Sequence, residues 1–140
     1  MRDEVEVVTR LGSGGSWERT YGYSRVVLAG DHALTAGCTS TVDGEVTHVG
    51  DAAAQTAQAL RIALDALAEV GASAADVVRT RMYVVDRMYA DEVGRAHGAV
   101  FGAVRPVSSL LVVAGLLHPD HLVEIEVEAY LGAGRSAARP

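Results

Sequence analysis

The stretch VEIEVEAY, Val123 to Tyr130, alternates without a break: Val123, Ile125, Val127 and Ala129 fall on one side, and Glu124, Glu126 and Glu128 on the other. Successive side chains of an extended chain point to opposite faces, so the three glutamates stand about 6.6 Å apart along one face. Such a strand needs covering on its apolar side only. The remaining sequence must therefore supply strands that pair with it and helices that pack on one face.

VVRTRMYVVD, from Val77, repeats the pattern, with Arg79, Arg81, Tyr83 and Val85 opposite Val78, Thr80, Met82 and Val84. Both arginines then share a face, suited either to pairing with the glutamates of a neighbouring strand or to clamping a carboxylate; pairing is expected. VEVVT (Val5 to Thr9) and SRVVLAG (Ser24 to Gly30) read as strands separated by a glycine- and serine-rich loop that holds Trp17, Tyr21 and Tyr23. HALTAG (His32 to Gly37) can pair with the second of them as a tight hairpin across Gly30 and Asp31. In RPVSSLLVV, Pro106 is tolerated at a strand entrance, and Ser108 and Ser109 stand between it and an apolar run ending at Val113.

Two segments have helical spacing. From Asp51 to Val70, Leu60, Leu64, Leu67 and Val70 recur at three- and four-residue steps, extended by Ala53, Thr56 and Ala57, with Asp51 as N-cap and Gly71 as stop. From Ala90 to Phe101, the stripe is Tyr89, Val93, His97, Val100 and Phe101. SAAD, Ser73 to Asp76, has the form of a capping box. The expected order is βββαβαββ, an α+β fold with a mixed sheet and two helices packed on one face. One domain over 1–131 is expected, followed by a disordered tail, GAGRSAARP, at 132–140.

The 140 residues carry a net charge of −6, all twelve basic side chains are arginine, and lysine and asparagine are missing. Without lysine no ε-amine can form a Schiff base with a carbonyl substrate or pyridoxal phosphate. The acidic balance and the lack of interleaved basic and aromatic residues argue against a nucleic-acid partner. No apolar run is long enough for a membrane span, and the charged start MRDEVEVVTR does not read as a secretion signal. With one cysteine no internal disulfide can form, so a cytoplasmic, reducing setting is expected. Abundant arginine, alanine, valine and glycine suggest a bacterial source of high GC content.

Candidates for chemistry are few. Glu126 and Glu128 are expected on a wet strand face. His97 lies on an apolar helix face and reads first as a core or interface histidine, second as an acid or base. HPDH places His118, Asp120 and His121 around a proline turn, a weak metal signal that no other ligand cluster supports, so no metal is expected. Cys38 reads as a small buried hydrophobe with no cation placed to lower its pKa. From spacing alone Tyr23 is a ring packed under the loop rather than a site hydroxyl.

Taken in order, the blocks GYSRVV, ALTAG, QTAQALRIALDALAEVGASAADVVRTRMYVVD, HGAVFGAVRPVSS and LVEIEVEAY resemble the YjgF/Rid family, the reactive-intermediate deaminases, from about Gly22 to Tyr130. The resemblance implies a chorismate-mutase-like fold assembled as a homotrimer with three clefts at subunit interfaces. It also implies hydrolysis of enamines and imines, such as 2-aminoacrylate, to a keto acid and ammonia, with no cofactor. Matched position by position, the glutamate thought to position the attacking water is Glu124, and the family tyrosine is Tyr23. A family serine appears here as Ala36, and an asparagine of the second helix as Gly94. The family's carboxylate-binding arginine falls on Ser108, which is expected to face the cleft. Gly37, Cys38, Ser109 and Arg105 complete the expected substrate-binding lining.

A charged, bidentate contact to a carboxylate contributes about 1.5–3 kcal/mol, and serine supplies no charge. Unless Arg105, Arg81 or Arg79 reaches in, a small α-imino acid is not the expected substrate. Three functions follow: an enzyme acting on a different imine, enamine or carbonyl metabolite; a non-catalytic trimer binding a small ligand or partner; or a tailoring enzyme that cyclises, isomerises or hydrolyses a biosynthetic intermediate.

Overall fold

The computed structural model describes residues 7–132. Six strands form one sheet: β1 (Val8–Leu11), β2 (Val26–Ala29), β3 (His32–Thr35), β6 (Val77–Val84), β7 (Val107–Val112) and β8 (Val123–Tyr130), in the order β1-β2-β3-β8-β6-β7. A separate hairpin joins β4 (Thr41–Val42) and β5 (Glu45–Val46). Three helices accompany them: α1 (Ser16–Tyr21), α2 (Ala52–Glu69) and α3 (Ala90–Phe101). Every neighbouring pair is antiparallel except β6 with β7, the strands joined by the α3 crossover. This is the expected mixed-sheet α+β fold.

The alternation of β8 decides the layering. Val123, Ile125, Val127 and Ala129 are at most 1% exposed, and across the register Met82, Thr80, Val84 and Ala33 lie on the same side. Against this side pack α2, through Ala59, Leu60, Ala63 and Leu67, and α3, through Val93 and Phe101. The other face carries the polar set. Arg81 Nη1 lies 2.8 Å from Glu128 Oε2 and 3.4 Å from Glu126 Oε1, Arg79 Nε 3.8 Å from Glu128, and the Tyr83 hydroxyl donates to Glu126 at 2.7 Å. The arginines thus pair with the neighbouring glutamates, as their shared face implied.

Local signals hold at the element ends. The Asp51 side chain accepts from Ala54 N at 2.9 Å and starts α2, Ser73 and Asp76 close a capping box, and β2 turns into β3 with Gly30 at φ 60°. Gly71, φ 90°, ends α2 in a left-handed conformation that a side chain would resist.

Several expectations need correction. The glycine- and serine-rich loop folds into α1 over Ser16–Tyr21, closed by Gly22 at φ 75°, and β4–β5 was not foreseen because each strand has only two residues. The first strand is Val8–Leu11 rather than Val5–Thr9, of which residues 5 and 6 lie outside the described ones. On α2 the buried stripe runs through Ala52, Gln55, Thr56 and Ala59, with Ala53, Ala57 and Leu64 only half-buried. Gln55 defeats an apolar count because its amide is fully used: Nε2 donates to the His48 and Asp120 carbonyls, and Oε1 accepts from Leu122 N. The tail expected at 132–140 lies, except for Gly132, outside the described residues.

Candidate active site

A cleft of about 1450 Å³ opens where α1, the segment after β3, the β4–β5 hairpin and the HPDH turn converge on the start of β8. Glu124 reaches it from the polar face of β8. Its carboxylate lies so close to Gly37 that a Cβ at that position would overlap it, so the glycine makes the room that the acid occupies. Burial pushes the Glu124 carboxyl above the ordinary range, the Glu126 charge adds to this, and Arg25 opposes it.

Arg25 stands at the entrance of β2, where its Nη1 donates to the Gly37 carbonyl at 2.7 Å and to Cys38 Sγ at 3.6 Å. Its Nε lies 3.5 Å from Glu18 on α1. Glu18 is 8% exposed; although burial raises its pKa, hydrogen bonds from Ser13 N and Oγ together with Arg25 hold it below the usual value. Arg25 therefore ties α1 to the strand end that carries Gly37. Its one local signature is a single charge opening the apolar run VVLA, which by itself does not mark a site residue.

Cys38 is buried, as expected, but a cation does stand beside it. Burial nevertheless outweighs Arg25 and pushes the thiol up, so it is held protonated. Tyr23 lines the cleft, 39% exposed, with the Arg25 guanidinium 6.0 Å from its ring centre, rather than packing under a loop. Trp17 and Tyr21, in edge contact at 5.9 Å, line it from α1.

His118 and His121, whose spacing carries only a weak metal signal, both line the cleft with ring centres 5.3 Å apart. His121 Nε2 is 2.8 Å from Thr41 Oγ1, and its pKa is lowered by burial and by His118. Among the described residues no three histidine, cysteine or acidic side chains converge as a metal site.

The residues matched at the sequence level divide into two groups. Tyr23, Ala36, Gly37, Cys38 and Glu124 share the cleft; Gly94, Arg105, Ser108 and Ser109 do not line it within one chain. Ser108 pairs with Thr80 and shares the helix-side face of the sheet, opposite to Glu124, while Ser109 pairs with Arg81 on the polar face. Arg105, φ 59° and exposed, turns its Nε back to the Gly102 carbonyl at 3.2 Å. With Arg79 and Arg81 committed to glutamates, none of the three arginines considered as substitutes for the missing anchor lines this cleft.

The model of the family described as endoribonuclease L-PSP matches residues 16–131, which takes in α1, the sheet from β2 to β8 and every residue of the cleft from Ser16 onward. The chain belongs to the YjgF/Rid family. Like it is a member of the YjgF/YER057c/UK114 family from Mycobacterium tuberculosis, Rv2704, 45% identical, with a TM-score of 0.81 over 89% of this chain and 99% of that one. The YjgF protein of E. coli is 27% identical, with a TM-score of 0.73 over 91% and 98%. By sequence the chain is 43% identical to an uncharacterised Streptomyces coelicolor protein over 91% of its own length and 96% of the other. It is 33% identical to the 3-aminoacrylate deaminase RutC of Acinetobacter baylyi over 64% of this chain and 70% of that protein. No described helix of this YjgF/Rid chain is long and apolar enough to cross a membrane.

Proposed function

We propose that the chain is a hydrolase of the YjgF/Rid type, acting without a cofactor on a reactive imine, enamine or related carbonyl metabolite. The observation that carries this reading is Glu124, a carboxyl half-buried in the cleft, raised in pKa by burial and seated against Gly37. A base with a pKa shifted toward neutrality is suited to take a proton from water and return it. Water adds to the C=N carbon as Glu124 takes one of its protons and passes it to the imine nitrogen. Glu124 then takes the carbinolamine hydroxyl proton and returns it to that nitrogen as C=O forms, the C–N bond breaks and ammonia leaves. The similarity to a 3-aminoacrylate deaminase supports the reaction class. Ser108 in place of an arginine argues for a substrate lacking the small α-imino acid's carboxylate, or larger than it.

The working form is a homotrimer in which β7 of one copy adjoins the Glu124 cleft of another, bringing Ser108, Ser109, Arg105 and Gly94 to a site that one chain leaves incomplete. The exposed Val107, Leu111 and Val112 on the outermost strand are suited to burial between copies. The arginine-rich, lysine-free composition and the single thiol fit the bacterial cytoplasm. The aromatic wall of Trp17, Tyr21 and Tyr23 favours, as a second reading, a trimer that holds a small ligand without turning it over.

The test is hydrolysis of imines generated in place by an amino-acid oxidase from small and large amino acids, alongside benzophenone imine as an uncharged probe. Acceleration by the natural protein that Glu124→Gln abolishes is the expected result. Activity appearing only in Ser108→Arg would assign the frame a different native substrate, and silence in every variant would replace the hydrolase by the binding reading.

A further inference from the structure

Three side chains from three elements form a hydrogen-bonded chain on the side of the sheet away from Glu124. Thr80 Oγ1, on β6, lies 2.8 Å from His97 Nε2 on α3 and donates to Ser108 Oγ on β7 at 2.7 Å. Thr80 is fully buried and its hydroxyl has one proton. Since that proton goes to Ser108, the contact with His97 is satisfied only if the imidazole carries hydrogen on Nε2 and donates to Thr80. Burial lowers the His97 pKa, which keeps the ring neutral, and the ring packs on Phe101 with centres 4.9 Å apart. Ser108 Oγ, accepting from Thr80, has its own proton left for an outside acceptor, and Ser108 is exposed. Gly94, three residues before His97 and on the same helix face, would have nothing within 4 Å of an added Cβ, so there is open space beside the relay.

We propose that His97, acting through Thr80, is a positioning residue that fixes the Ser108 hydroxyl as an outward hydrogen-bond donor to an uncharged carbonyl or imine group. Successive donors polarise one another in the same direction, so the terminal hydroxyl is a stronger donor than a lone serine. The relay offers one proton and no charge, enough for a single neutral acceptor but not for the bidentate, charge-assisted grip that an arginine gives a carboxylate. Arg105, the nearest cation in sequence, is turned back to Gly102. The inference deepens the hydrolase reading by naming the group bound at the serine, and rests on that reading only for the reaction that follows.

The experiment is nitrogen-15 NMR of the histidine rings of the full chain, titrated with acetophenone as the uncharged carbonyl and with benzoate as its carboxylate counterpart, which is expected to give no shift. The expected result is the Nε2–H tautomer for His97 and an Nε2 shift with acetophenone, abolished in Ser108→Ala and Thr80→Val and retained in Thr80→Ser. A packing role for His97 alone would give no ligand shift. An Nδ1–H tautomer, no response in the natural protein, or a response that survives Ser108→Ala overturns the relay. Failure of the imine assay with this response intact would sink the hydrolase reading and leave the relay standing.

Discussion

Arg25 Nη1 donates to the carbonyl oxygen of Gly37 at 2.7 Å, and the α-carbon of that glycine is the surface on which the Glu124 carboxylate rests. One cation thereby fixes the floor of the cleft while moderating the charge of the acid above it. In Arg25→Gln the Glu18 carboxylate keeps its Ser13 bonds but loses its ion pair, and the Gly37 carbonyl loses a charged donor. The expected cost is about 1–3 kcal/mol in urea unfolding. Glu18 has a lowered folded pKa, so its stabilisation is present above the unfolded carboxylate pKa and fades as pH falls through the folded one. The stability gap between natural protein and Arg25→Gln is therefore expected to narrow on acidification. A gap constant from neutral to acid pH would separate Glu18 from the effect.

Gly37→Ala makes a sharper distinction. The added methyl meets the far end of a flexible side chain, which can swing away, so the fold is expected to tolerate it within about 1 kcal/mol. The carboxylate is displaced by that swing, and misplacing a reacting group by about 1 Å can cost roughly 100-fold in rate. Equal turnover in both proteins, measured beside equal thermal midpoints, would remove Glu124 from the chemistry.

Glu124→Gln is expected to lower imine hydrolysis by about 10²–10⁴-fold while the fold persists. Its effect on stability has the opposite sign to that of Glu18. A carboxyl whose folded pKa lies above the unfolded value stabilises the fold fully only below the unfolded pKa, and this is lost as pH rises through the folded one. Thermal unfolding of the glutamine variant should therefore gain on the natural protein from acid to neutral pH. Parallel curves would show that Glu124 ionises in the folded chain as it does in the unfolded one.

Gln55→Leu leaves the His48 and Asp120 carbonyls and Leu122 N without their buried partner. A loss of about 1–3 kcal/mol is expected in urea unfolding. The same amide holds the turn that carries His118 and His121, so the two histidine ring signals should shift in NMR although neither ring is hydrogen-bonded to Gln55. Unchanged ring signals would show that the turn is held by other contacts.

Sedimentation velocity is expected to give a species three times the 14.6 kDa chain, and Leu111→Glu on the exposed strand to dissociate it. A natural protein running as a monomer would sink the trimer and with it the completion of the site by β7.

The strict alternation of Val123–Tyr130 and of Val77–Val84 determined by itself that one sheet face would be dry and the other charged, because extended backbone leaves no third option. The stripes of α2 and α3 determined what would cover the dry face. Capping at Asp51 and Ser73 and the turn at Gly30 were legible for the same reason, each being settled within a few residues. Glu124, Tyr23 and Gly37 could be named from the order of blocks, but Arg25, Glu18, His118 and His121 could not. Their role depends on strand register and on where two loops return, contacts between residues up to a hundred positions apart that no local pattern encodes. Tertiary structure alone set Ser108 on the face opposite Glu124. A parallel β6–β7 register paired it with Thr80 and placed α3, with His97, above both.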